Sequence, residues 1–378
     1  MQVLIAPNAF KHALDAAAAA ECIRQGLMES RLECDCTCFP VADGGDGTGE
    51  LIVKKLGGKF VETNVHDPFG ESIIAGFGLI DDGNTAVIEM ASASGISLVK
   101  SEQLNPLLAS SFGTGEQIKA ALDLGVKKII IGMGGSATVD GGCGILAALG
   151  IQFFDEMGNR IGYTPESLEH LSFIDQTAIH PAVPNCEFIV LCDVNNFLLG
   201  SRGAATIFGP QKGASAEGVE VLEKMLANLS AVSFRQTGKD MSRIVHGGTA
   251  GGAAAGLYAW INARLVDGIS YFLELTEFDA VLEKADIVIT GEGSIDEQTL
   301  LNKAPIGVAR KAKEKGIPVI GIAGKLPLQI SRSLHEYFDV LIPISHEPME
   351  LSLALKHTSA NLERTGFEIG NMISIGRL

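Results

Sequence analysis

Ten consecutive residues, Val41-Ala42-Asp43-Gly44-Gly45-Asp46-Gly47-Thr48-Gly49-Glu50, set Asp43 and Asp46 among four glycines. Glycine tolerates backbone conformations and close approaches that a Cβ blocks, so its N–H groups can come up against a ligand. A helix expected from about Thr48 adds a positive dipole end for an anion. An anion there, with a carboxylate to hold Mg²⁺ or to take a hydroxyl proton, suits phosphoryl transfer; an Asp-Gly turn with a Thr cap is the plainer alternative. A second stretch, Thr290-Gly291-Glu292-Gly293-Ser294-Ile295-Asp296, follows an apolar run and has Lys303 just beyond it. Glu292 and Asp296 are spaced to converge on one cation, and Lys303 is within helical reach of a phosphate.

Other candidates are smaller. Gly134, Gly135, Ser136 and Thr138 lie between the apolar run 129–132 and Asp140-Gly141-Gly142-Cys143-Gly144, which opens the next helix. Small residues and hydroxyls in that position cradle a phosphate or carboxylate, although close helix–sheet packing also selects glycine. Asp193 ends FIVLCD (188–193), where a carboxylate serves as a general base, a metal ligand or an Asx turn. Lys212, in Gly209-Pro210-Gln211-Lys212-Gly213, could neutralise phosphate, though a turn lysine is ordinarily exposed. Lys11, after the first apolar run, could meet a carboxylate or phosphate. Cys34, Cys36 and Cys38 alternate along one strand face and read as buried thiols, with no fourth metal ligand close in sequence.

The elements that must hold these residues follow from hydrophobic pattern. Short β-branched runs at 3–7, 129–132, 188–193, 286–291 and 318–324 alternate with helical stretches, the first an Ala-rich helix from about Asp15. That alternation predicts parallel sheets covered on both faces, with ligands at the carboxyl ends of the strands. Residues 59–91 break the rhythm with three strands joined by turns at 66–70 and 81–84, a meander that signals a second domain inserted into the first. The expected division is 1–57 with 281–378, a Rossmann/flavodoxin-like α/β domain, enclosing a mixed α/β domain over 58–280. A chain of 378 residues agrees with two domains, and 45 glycines exceed the typical ~7% of composition.

Composition excludes several classes. Twenty-nine basic against 45 acidic residues give a net charge of −16, with no Lys/Arg run to bind nucleic acid. No stretch of 18 apolar residues is present, and the start lacks a basic n-region; a cytoplasmic protein with reduced thiols is expected from seven sparse cysteines. The three Gly-Lys pairs continue with Phe60, Asp240 and Leu326, so there is no P-loop. G-x-G-x-x-G, G-x-S-x-G, H-E-x-x-H and the protein-kinase set are also missing, which argues against an NAD-dependent oxidoreductase.

The chain resembles the bacterial type-1 glycerate kinase family over nearly its whole length. The resemblance rests on AFK (9–11), PVADGGDGT (40–48), the long stretch 113–150, CDVNN (192–196), FGPQKGA (208–214), AGGAAAGL (250–257) and TGEGSIDEQTLLNKAPIGVA (290–309). It implies ATP and Mg²⁺, D-glycerate as acceptor with 2-phosphoglycerate favoured as product, and a two-domain enzyme with its active site in a cleft. On that reading Glu292 and Asp296 take the metal, and the 134–138 loop takes an anion. Lys11, Lys212 and Lys303 meet carboxylate or phosphates. Asp193 is the first candidate for base, with Asp43 and Asp46 next. The chain departs from the family pattern at His12-Ala13, where Gly-Ser is usual, at Asp46 for Glu, and at Asn302 for Gly. Gly-Gly-Asp-Gly-Thr (44–48) also resembles the signature of NAD and lipid kinases, but over five residues only. The alternative from another class is a silent hydroxy-acid or nucleotide sensor. No nucleic-acid or membrane partner is expected, and a homo-oligomer is left open.

Overall fold

Strand-forming residues that alternate with helices build two sheets, each at the centre of its own unit. The computed structural model describes residues 1–297, 299–300 and 303–376; Asn302, one of the departures noted above, lies outside them. The chain divides into Met1–Asp43 with Ile269–Leu378, and Gly44–Gly268.

The first unit carries five parallel strands in the order Val340–Pro343, Val319–Lys325, Ile287–Ser294, Gln2–Ile5 and Asp35–Cys38. Val3 pairs with both Ile287 and Cys36, so the chain's first strand sits between its second and a strand more than 280 residues later. The central strands are buried over most of their length, being covered on both faces. The Ala16–Glu29 helix starts at Asp15, whose side chain accepts from the Ala18 N–H. Its Ala19, Ala20, Ile23 and Leu27 share one core with Val3, Ile5, Ile289 and Leu362.

The second unit holds a six-stranded sheet in the order Arg264–Asp267, Glu187–Cys192, Lys128–Gly132, Thr85–Glu89, Ser72–Ile80 and Lys59–His66. The first four strands are parallel, and the last two are added antiparallel through the expected meander. A small antiparallel sheet of Gln152–Phe154, Arg160–Ile161 and Phe173–Asp175 completes it. Among the described residues no helix is long and apolar enough to cross a membrane.

Two details differ from the sequence reading. The division falls at 43/44 and 268/269 and not at 57/58 and 280/281. The reason lies in the Thr48–Lys55 helix: Val53 packs where a Cβ on Gly78 would stand, and the Gly49 N–H bonds to Glu89, so the helix goes with the meander. Strands at Arg264–Asp267 and Val340–Pro343 are short and only partly buried, which leaves a weak periodic signal, while Asp35–Cys38 forms where the cysteines alternate, their thiols half-buried and not buried.

Candidate active site

In the second unit, the glycine-rich stretches 44–49 and 132–135 meet the end of the Glu187–Cys192 strand. A Cβ on Gly44, whose φ is +92°, would stand 2.9 Å from the Leu191 carbonyl oxygen, and one on Gly134 would stand 2.4 Å from the Gly45 Cα. These glycines therefore let the loops after Phe39, Gly132 and Cys192 pack backbone to backbone, and the Gly134 N–H donates to the Gly44 carbonyl at 3.1 Å. Asp46 places its carboxylate beside Gly135. Asp193 follows the Glu187–Cys192 strand. Its neighbours are clamped from the His246–Gly248 turn: the His246 Nδ1–H donates to the Val194 carbonyl at 2.7 Å, and the Gly248 N–H to the Asn196 carbonyl at 2.9 Å.

Lys212 is 3% exposed, in a 3₁₀ turn over Pro210–Lys212, so the expectation of an exposed turn lysine is overturned. Pro210 and Gly213, with φ +96°, turn the chain so that the side chain runs inward. Its Nζ donates to the Ser136 hydroxyl and to the Thr138 carbonyl, both at 2.8 Å. Burial pulls the ammonium down to about 7, against the opposing pull of Asp140 and Asp193. Gly134, Gly135, Ser136, Asp193 and Lys212 line a cavity of about 110 Å³. Among the described residues the buried Thr138 hydroxyl has no hydrogen-bond partner.

One expected anion site, the start of the Thr48–Lys55 helix, is already filled by one of the chain's own carboxylates, and the glycines that open the next helix hold another. Glu89 accepts the Gly49 N–H at 2.8 Å and occupies the start of the Thr48–Lys55 helix, where an external anion was expected. Burial pushes its carboxyl up to about 7, outweighing the Gly49 and Gly47 N–H groups; Asp46 and Glu50 push the same way. Asp140, fully buried, takes four donors: the Ser111 N–H and hydroxyl at 2.9 and 2.6 Å, and the Gly142 and Gly144 N–H groups at 3.0 and 3.1 Å. The 141–144 glycines thus cradle Asp140. Neither Asp140 nor Glu89 was singled out from sequence. For Asp140 the signal was present, an aspartate directly before a run of N–H-presenting glycines.

The first unit gathers a different set. Asp43 Oδ2 accepts from the Asn8 side-chain amide at 3.2 Å and from the Ala304 N–H at 3.3 Å, capping the Ala304–Glu314 helix. Glu292 is 7% exposed, and Thr299 donates its hydroxyl to Glu292 Oε1 at 3.2 Å. Burial raises the Glu292 carboxyl to about 7; Lys303 and Lys11 oppose that rise, and Asp43 adds to it. Asp296 is tied in through its backbone, its N–H donating to the Thr299 hydroxyl at 3.1 Å. Lys11 is exposed, its backbone N running past Gly293 in a turn where His12 has φ +66°. Lys11, Asp43, Glu292, Asp296 and Lys303 therefore belong to one unit, and Asp46, Gly134, Gly135, Ser136, Thr138, Asp193 and Lys212 to the other. The boundary cuts the densest motif between Asp43 and Gly44.

A buried amine beside a carboxylate in a small cavity, and a buried carboxyl ringed by lysines, are components for handling anions and moving a proton. Comparison with known proteins gives the family. A model of the Glycerate kinase family matches residues 3–374. A glycerate kinase of Bacillus subtilis (strain 168) is 41% identical over 377 residues, covering 100% of this chain and 99% of the relative. The glycerate 2-kinase of Escherichia coli (strain K12) is 39% identical over 376 residues, with 100% and 99% covered. A crystal structure assigned to glycerate kinase 2 from Salmonella typhimurium LT2 superposes with a TM-score of 0.84 at 40% identity, covering 100% of this chain and 99% of that one. With a family match that spans almost every residue and relatives alike from end to end, the chain belongs to the glycerate kinase family.

Proposed function

We propose that the chain transfers the γ-phosphoryl group of ATP to a hydroxyl of D-glycerate, with 2-phosphoglycerate the favoured product. The observation that carries this reading is the Lys212 cavity. Its volume is about 110 Å³. Sites for larger ligands run to roughly 300–1,000 Å³. The cavity's polar lining of Ser136, Asp193 and Lys212 suits a small anion, a three-carbon acid or a single phosphoryl group.

In the proposed reaction the acceptor's carboxylate pairs with Lys212, and Gly134, Gly135, Ser136 and Thr138 supply further polar contacts. Asp193 takes the proton of the attacking hydroxyl as the new oxygen–phosphorus bond forms; Asp43 and Asp46 are the next candidates for that role. The bond between the γ-phosphorus and the β-phosphate oxygen breaks, and ADP leaves. Such transfer asks for positioning and charge neutralisation more than covalent chemistry. Lys11 and Lys303 are assigned to phosphate charge.

Bound magnesium would supply further neutralisation of the phosphates. Glu292, near the end of the Ile287–Ser294 strand, with Asp296 just beyond it, would hold it. The fit lies in the cost of a buried Glu292 carboxylate with Asp43 as a like-charged neighbour, which a cation relieves. Mg²⁺ commonly needs only one or two carboxylates beside substrate phosphates. Among the described residues no group of three or more His, Cys, Asp or Glu side chains gathers into an all-protein cage.

A coupled assay for glycerate-dependent ADP release, with product regiochemistry by phosphorus NMR, tests the reading. Silence at millimolar D-glycerate and ATP would remove it, and stabilisation by glycerate without turnover would indicate the sensor. Asp193→Asn should lower kcat by about 10²–10⁴-fold with the fold intact. Near-normal turnover would exclude Asp193 as base.

A further inference from the structure

A second cavity lies at the opposite, amino edge of the six-stranded sheet. It measures about 440 Å³, within the roughly 300–1,000 Å³ range of small-molecule sites, and four times the volume of the Lys212 cavity. Its apolar wall is Ile179, Val183, Phe188, Trp260 and Ile261, and Arg264 stands at its mouth. The wall is a firm one. Val183, Phe188, Trp260 and Ile261 are buried, and the Trp260 ring is fixed by its Nε1–H donating to the Ser233 hydroxyl at 2.9 Å. The Glu187–Cys192 strand separates this cavity from Asp193, a span of roughly 20 Å at ~3.3 Å per residue. The cavity is therefore no extension of the site described above.

The charge around the mouth runs against that of the molecule. The protein carries a net −16, yet here Glu187 lies between Lys128 at 3.3 Å and Arg264 at 3.8 Å. Lys127 is near enough to act on the Cys186 thiol in the cavity wall. Lys128 and Arg264 thus share Glu187 beside the apolar wall, with Lys127 close by. Exposed ion pairs of this kind are weak and exchange partners readily. An apolar body is favoured inside the cavity and an anion at its mouth.

We propose that this cavity is a second binding site, for a small carboxylate with a flat apolar body, such as an aryl-substituted acid. Its ring stands against Trp260 and Phe188, and its carboxylate pairs with Arg264. Nothing in this requires ATP or glycerate, so the proposal stands or falls apart from the phosphoryl-transfer reading.

Trp260 is the one tryptophan in 378 residues, so its emission reports this wall alone. The full-length protein, free of ATP and glycerate, is titrated with phenylacetate, and with phenylethylamine and phenylethanol as cationic and neutral counterparts. The expected result is a saturable change in Trp260 emission with phenylacetate, and binding weaker by about fivefold or more for both counterparts. Arg264→Glu should reverse the order, weakening phenylacetate about fivefold and favouring the amine. Arg264→Gln, a milder change should the first variant fold poorly, should erase the preference. No saturable response, equal responses to acid and amine, or an unchanged order in both variants would overturn the proposal.

Discussion

Lys212 shows what burial does to a side chain that a Gly-Pro turn would ordinarily leave in water. Its ammonium has exchanged hydration for two oxygens, Ser136 Oγ and Thr138 O, and its proton affinity has fallen from 10.5 to about 7. Because the unfolded chain binds this proton up to pH 10.5 and the folded chain only to about 7, stability rises with pH between those values. The full slope is roughly 1.4 kcal/mol per pH unit from this group alone. Lys212→Met should remove that rise, which denaturant unfolding at a series of pH values would show. The same substitution should raise KM for D-glycerate about ten- to hundredfold, the worth of a charge-assisted hydrogen bond in a buried site. A variant with an unchanged KM would make Lys212 a purely structural residue. Burial is what the sequence conceals here. The motif FGPQKGA marks the lysine as a candidate, but nothing in its local pattern says that the turn faces inward.

At the scale of elements, glycine decides how closely backbones pack. The Ala16–Glu29 and Thr358–Ile375 helices make the densest such contact in the first unit. A Cβ on Gly26 would stand 1.9 Å from the Glu363 carbonyl oxygen, and one on Gly366 would stand 2.5 Å from that of Ile23. Backbone cannot yield as the end of a side chain can, so Gly26→Ala should force the helices apart. The expected cost is about 2 kcal/mol, seen as a fall of several degrees in Tm. Neither helix carries a candidate residue, so KM for both substrates should hold, and a Tm within a degree of the parent would contradict the packing argument. The Ala-rich helix and its Asp15 cap were legible because period and cap agree. The partner's glycine was not legible as a contact, since its mate is 340 residues away in sequence. The same holds for Asp43. Its motif announces chemistry, but its bonds to Asn8 and Ala304 join residues 35 and 261 positions distant. The glycines at 47–49 read as a place for an external anion, and those at 141–144 as the opening of a helix. Glu89 fills the first and Asp140 accepts from the second, because a buried N–H cluster must be satisfied by something, and the chain supplies it.

At the scale of the whole molecule, the second unit is continuous in sequence, Gly44–Gly268, while the first is assembled from two separated pieces. The continuous unit has its own core, from Phe77 and Ile88 through Ile131 and Val190 to Trp260. Its length is within the ordinary range for an independent domain. Residues 44–268 expressed alone should therefore unfold in one cooperative transition by circular dichroism. The isolated unit retains Ser136, Asp193 and Lys212, so D-glycerate should still raise its Tm in a concentration-dependent way. It lacks Lys11, Glu292, Asp296 and Lys303, and should give no glycerate-dependent ADP release. A non-cooperative melt would show that the core depends on the first unit for its order. Turnover by 44–268 would show that acceptor, base and phosphate contacts all reside in one unit, and would take the carboxylates and lysines of 292–303 out of the reaction. Binding without turnover is the outcome that joins the two anion-handling sets to one chemistry: one unit recognises the acid, and the other supplies the charge that phosphoryl transfer requires.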